Sequence, residues 1–123
     1  MSVTHVVQEY YETLRQGDSL GQYFHEEATV KFGVSESLYG YDEIADALRE
    51  QRETTAEWSV ESERLRVDDR GEFAVFADEV RLGWTDTTTG ERYSFRTRWS
   101  GTLVRERSEW RFVSMHVSAP QKL

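Results

Sequence analysis

Two runs in the last third of the chain alternate in polarity every second residue: Tyr93 to Arg105 and Trp110 to Ser118. Only the short polar break Glu106 to Glu109 separates them, so they read as a hairpin of two-faced strands. The chain begins with helical patterns and closes on this hairpin. That order predicts a cone-shaped α+β roll, with N-terminal helices packed on a strongly curved antiparallel sheet around one internal pocket.

The rest of the pattern agrees. Val3, Val6, Val7, Tyr10 and Leu14 recur at helical spacing, which predicts an amphipathic helix over 3–16 ended by Gly17. Asp18 is a natural N-cap for a short second helix that turns Leu20, Tyr23 and Phe24 inward. Ala28, Val30, Phe32 and Val34 alternate as a strand. After Gly40 a third helix is expected at about 42–53, with Ile44, Ala47 and Leu48 on one face. Strand-like runs follow over roughly 56–67, 73–85, 91–105 and 110–118. Trp58 and Val60 have one parity, Leu65 and Val67 the other, so no regular strand puts all four on one face. A β-bulge is expected near Ser62 to Arg64.

Composition bounds the function. The 123 residues are expected to form a single domain over 1–123. With no cysteine there is neither a disulfide nor a thiolate metal site. The N-terminus lacks the pattern of a signal peptide, and no apolar run approaches the roughly 20 residues of a membrane span, so a cytoplasmic protein without membrane association is expected. The 23 acidic and 15 basic residues give a net charge of -8, which argues against a nucleic-acid partner. Lys31 and Lys122 are the only lysines. This acidic balance suits a high-salt cytoplasm; ordinary surface charge is the alternative. Three scattered histidines give no metal-ligand spacing, and the absence of a glycine-rich phosphate loop leaves no sign of a nucleotide, so neither metal nor cofactor is expected.

Taken together, the helices, the first-half strand hairpin, the long curved sheet and the terminal Trp110, His116, Ser118 element resemble the nuclear transport factor 2-like superfamily, and within it the SnoaL-like proteins. Trp110, His116, Ser118 and Pro120 also resemble the end of the association domain of calcium/calmodulin-dependent protein kinase II, which shares that fold. The stretch Tyr10 to Asp18 resembles the same place in ketosteroid isomerases. There, Tyr10 would correspond to the oxyanion-donating tyrosine. The general base would align with Phe32, and the second acid would fall near Ser100 to Thr102. Two of three functional positions lack the needed side chain, which rejects ketosteroid isomerisation. Many relatives carry an arginine near that last position, for which Arg98 is the nearest candidate.

The resemblance implies a small, largely apolar ligand in an internal pocket and a homodimer formed through the sheet. It leaves open whether the protein is an enzyme; if so, a cofactor-independent proton-transfer isomerase, cyclase or dehydratase is implied, and the alternative is a non-enzymatic binding or dimerisation module. Strand parity sorts the candidates. Phe76, Asp78, Val80, Leu82 and Trp84 share one face, as do Tyr93, Phe95, Thr97, Trp99 and Leu103. The resemblance places these sets toward the pocket, with Val113, Met115 and Val117. The expected lining is thus Phe32, Trp58, Phe76, Val80, Trp84, Phe95, Trp99, Val113 and Met115. Asp78 among apolar neighbours would be a desolvated acid able to exchange protons, with Tyr10 as oxyanion donor. Trp110, Phe112 and His116 share the opposite parity and, with Arg98, are expected at the dimer interface. Glu79 and Arg81 share an outward face too, and cross-strand ion pairs among them and Arg96 or Arg98 are expected there. His25 is expected to cap the second helix.

Overall fold

The computed structural model describes residues 2–32 and 36–119. Helix α1 spans Val3–Gln16 and α2 spans Gly40–Thr54; the strands are β1 (Phe24–Phe32), β2 (Glu36–Tyr39), β3 (Thr55–Ser62), β4 (Arg66–Asp69), β5 (Phe73–Asp86), β6 (Arg92–Glu106) and β7 (Glu109–Ser118). The expected extension of the first strand to Val34, and Pro120, lie outside the described residues. The strands form one curled sheet in the order β2-β1-β7-β6-β5-β3, with β4 also pairing β5. Every pairing is antiparallel except β1 with β7, which is parallel. The expected α+β cone is present, and its sheet is mixed rather than wholly antiparallel.

Local chemistry sets the helix limits. The Ser2 hydroxyl accepts from the His5 N–H and caps α1. At the other end Gly17 takes the left-handed conformation (φ 72°), donates to the Leu14 carbonyl, and lets Asp18 N–H reach the Thr13 carbonyl. This Schellman closure uses Asp18 as the last step of α1. The expected second helix is therefore reduced to a single 3₁₀ turn at Gly21–Tyr23, although Leu20, Tyr23 and Phe24 are buried as anticipated.

α1 lays Val3, Val6, Val7, Tyr10, Tyr11 and Leu14 against the inner face of the sheet. That face presents Ala74, Phe76, Val80 and Leu82 from β5, Trp99 and Leu103 from β6, and Phe112 from β7. Full burial of one such side chain contributes about 1.5–3 kcal/mol, so this layer carries most of the stability.

Bulges set which residues point inward. Between β3 and β4, the four-residue step from Ser62 to Arg66 faces a three-residue step from Val80 to Ala77 on β5. One extra residue is taken up where the parity change requires it. A second bulge lies in β7. There Leu103 pairs with Phe112 and the adjacent Thr102 with Ser114, leaving Val113 over. This corrects the facing of Trp110 and Phe112. They are 5% and 1% exposed, inside the same chain's core, while Met115 and Val117 beyond the bulge are also buried. Neither aromatic is free for a partner; Trp110 is covered by the Arg105 guanidinium, 4.7 Å from its ring centre. Opposite this bulge, a Cβ on Gly101 would sit 2.4 Å from the Ser114 carbonyl oxygen and 2.9 Å from the Phe76 ring. Only glycine fits that approach.

Candidate functional site: an aromatic cavity beside a buried carboxylate cluster

A cavity of about 330 Å³ lies between α2 and the open end of the sheet. Tyr10 and Leu14 of α1 form its inner end. Ile44, Ala47, Leu48, Glu50, Gln51 and Thr54 of α2 form one wall. The sheet supplies Phe24, Val30, Phe32, Trp58, Leu82, Trp84, Trp99, Met115 and Val117.

Its aromatic geometry is set by backbone irregularity. In β3, Ala56 pairs with Thr85 and Ser59 with Gly83, so one residue is extra. Glu57 absorbs it at φ 54°. Arg92 donates to the Glu57 carbonyl and the Ser59 hydroxyl, fastening this kink. Trp58 is thereby aimed at Trp84, and the two rings stack with centres 5.0 Å apart at 23°. The Trp58 indole N–H donates to the Thr55 hydroxyl at 2.9 Å. Tyr10 meets Trp99 edge-on at 6.1 Å and Phe112 at 5.3 Å. Burial, then the neighbouring Tyr23, pushes the Tyr10 phenol pKa upward, so it stays a neutral donor.

Of the residues expected to line the pocket, Phe32, Trp58, Trp84, Trp99 and Met115 do so. Phe76 and Val80 do not. They lie on the inner face but are packed into the core, with Phe76 against Phe112 at 5.6 Å. Phe95 is displaced because it packs against Trp84, 5.6 Å from its ring. Val113 is the residue left over in the β7 bulge. Sequence reasoning missed the contribution of α2. Glu50, Gln51 and Thr54 sit at the end of that helix, beyond its apolar stripe of Ile44, Ala47 and Leu48, and their i, i+1, i+4 spacing is the signal that finds them.

Asp78 is on the inner face beside Phe76 and Val80, as parity required, and is buried. Its surroundings differ from the expected free acid. Oδ2 accepts from the Tyr11 hydroxyl at 2.9 Å and the Ser62 hydroxyl at 2.6 Å, and Oδ1 accepts from Arg64 N–H at 2.9 Å. The last donor is freed by the β3–β4 bulge. The carboxylate therefore stitches α1, β5 and the bulge together, and is not part of the cavity wall. Tyr10 and Tyr11 are adjacent on α1 and diverge: Tyr10 turns to the cavity, Tyr11 to Asp78. Burial, then the Asp78 charge and hydrogen bond, drives the Tyr11 pKa upward.

His116 and Arg98 are exposed on the outer face. Arg96 reaches Glu63 at 3.4 Å rather than Glu79; in the register it stands opposite Arg81, a like charge, while Glu79 stands opposite Arg98. His25 is the second residue of β1 instead of a helix cap. Its Nδ1 accepts from Glu27 N–H at 3.1 Å and its Nε2 faces Glu106 at 2.9 Å. Among the described residues, no three His, Asp or Glu side chains cluster as a metal site, and no helix is long and apolar enough to cross a membrane.

The model of one family, described as a SnoaL-like domain, matches residues 3–122. The chain belongs to the SnoaL-like family. Solved structures of the nuclear transport factor 2-like superfamily share its fold. A protein provisionally named scytalone dehydratase from Novosphingobium aromaticivorans is 14% identical, with TM-score 0.87 over 98% of this SnoaL-like chain and 83% of its own. A nuclear transport factor 2-like superfamily protein from Salmonella enterica is 20% identical, with TM-score 0.85 over 98% and 89%. A ketosteroid isomerase-like protein from Erwinia carotovora is 14% identical, with TM-score 0.82 over 97% and 94%. At these identities the likeness is one of fold. No curated protein shows significant sequence similarity to this SnoaL-like chain.

Proposed function

We propose that the protein binds one small, largely apolar and flat molecule in the cavity between α2 and the sheet. The observation that carries this is the cavity itself: about 330 Å³, walled by Trp58, Trp84, Trp99 and Tyr10 and largely apolar elsewhere on the sheet side. Ligand sites have this size and this apolar balance. Binding is favoured over acid–base turnover because the expected catalytic pair is divided. Tyr10 faces the cavity, whereas the Asp78 carboxylate is held by three donors outside its wall. Titrating the protein with 2-naphthol while following tryptophan fluorescence tests the reading. Saturable binding at one site per chain, weakened tenfold or more in Trp58→Ala, is expected. A signal that never saturates, or one indifferent to Trp58, removes the proposal.

The outer face of the sheet supports pairing of two copies. Phe73 and Val75 are 47% and 40% exposed there, on the same face as Arg98 and His116. Light scattering on the eluting protein should give twice the chain mass, and Val75→Arg should halve it. A monomer at every concentration excludes the dimer.

A further inference from the structure

The charge pattern of the cavity narrows the ligand class, and this step rests on the binding reading above. No lysine, arginine or histidine is among the described lining residues. Their one acidic side chain is Glu50, which is solvent-exposed and so marks an edge of the cavity that meets water. Glu50, Gln51 and Thr54 lie in the last turn and a half of α2, where the backbone carbonyls give the helix its negative end. The Thr54 and Thr55 hydroxyls donate back to the Glu50 and Gln51 carbonyls, and the base of this last turn, Arg52, is not part of the cavity wall. The same cavity is lined by Trp58 and Trp84, stacked on each other with centres 5.0 Å apart, and indole π systems attract cations.

We infer that the site selects a planar aromatic molecule bearing an amine, its ring against the tryptophans and its ammonium toward Glu50 and the carboxyl end of α2. An anion of the same shape would lose its hydration with no positive partner in return. A neutral analogue would keep the stacking and forgo the charge contact.

Three naphthalene probes at pH 7 and about 0.15 M salt isolate the charge, since that ionic strength screens distant surface carboxylates. They are 2-naphthol (neutral), 2-naphthylmethylamine (cationic) and 2-naphthoate (anionic). The ammonium probe should bind at least tenfold more tightly than the carboxylate. Glu50→Gln should shrink that gap threefold or more. Glu53→Gln, one turn-neighbour along the same helix but outside the cavity wall, should leave the gap intact. Binding of 2-naphthol with no preference between amine and carboxylate overturns this inference and leaves the binding reading standing. A gap insensitive to Glu50→Gln, or equally sensitive to Glu53→Gln, also overturns it. Failure of all three probes removes the pocket reading and the inference together.

Discussion

Tyr11 gives its hydroxyl to Asp78 over 2.9 Å, and that bond ties the middle of α1 to the point where the sheet bends. The same carboxylate receives Ser62 and the backbone N–H of Arg64, the donor that the β3–β4 bulge takes out of the ladder. A buried polar group is tolerated when every partner is present, and this cluster meets that requirement.

Replacing Asp78 by Ala should therefore act on folding. It strands the buried Tyr11 hydroxyl and the bulge N–H, at a cost on the order of 3 kcal/mol. Urea unfolding should show that loss, with Tyr11→Phe milder at about 1.5 kcal/mol because it removes a single donor. Naphthol affinity of the folded fraction should be unchanged in both. A variant of full stability with lost binding would return Asp78 to the site.

The tyrosines give a pH dependence. Tyr10 and Tyr11 hold their protons to higher pH when folded than the ordinary value of 10.0, chiefly through burial. Below that value both states keep the protons and stability is at its full level. Above it the unfolded chain releases protons that the folded chain retains, so stability falls as pH rises, by about 1.4 kcal/mol per pH unit for each such tyrosine. Unfolding free energies measured from pH 9 to 11 should show this decline. Tyr11→Phe should make it shallower by one proton; an unaltered slope would contradict the assignment.

Phe112 is a core residue of its own chain. Phe112→Ala should lower stability by about 3–5 kcal/mol. The loss should be the same at micromolar and at hundredfold higher protein concentration. An effect that vanishes at high concentration would indicate an interface instead.

Gly101 admits no side chain, because a Cβ would press on the Ser114 carbonyl and the Phe76 ring. Gly101→Ala should cost about 1–3 kcal/mol through overpacking, visible as a lowered Tm. An unchanged Tm would mean that β7 yields at its bulge more easily than its packing implies.

Hydrophobic alternation made the long strands readable: Phe76, Asp78, Val80 and Leu82 face inward as their parity demands. It also located the β3–β4 bulge, because Trp58 and Val60 disagree with Leu65 and Val67. The same disagreement exists between Trp110 and Phe112 on one side and Met115 and Val117 on the other. Read as one regular strand, it turned the first pair outward; read as a bulge, it puts all four inside, as found. The parallel pairing of β1 with β7 joins strands far apart in sequence, and no local pattern announces such a contact. Asp78 shows the other boundary. Parity fixes which way its side chain points, but its donors come from α1 and an unpaired backbone N–H, which only the assembled fold brings together.

The place of β7 in the sheet has a consequence for how the molecule is made. It lies between β1 and β6, so the last of the described strands is the bridge joining β1 and β2 to the remaining strands. A nascent chain on the ribosome can form its helices and the β5–β6 hairpin early, yet both flanks of the gap wait with open edges until residue 118 has emerged. Closure of the sheet therefore waits on β7, and a stall shortly before that point would leave two unpaired edges within reach of neighbouring nascent chains.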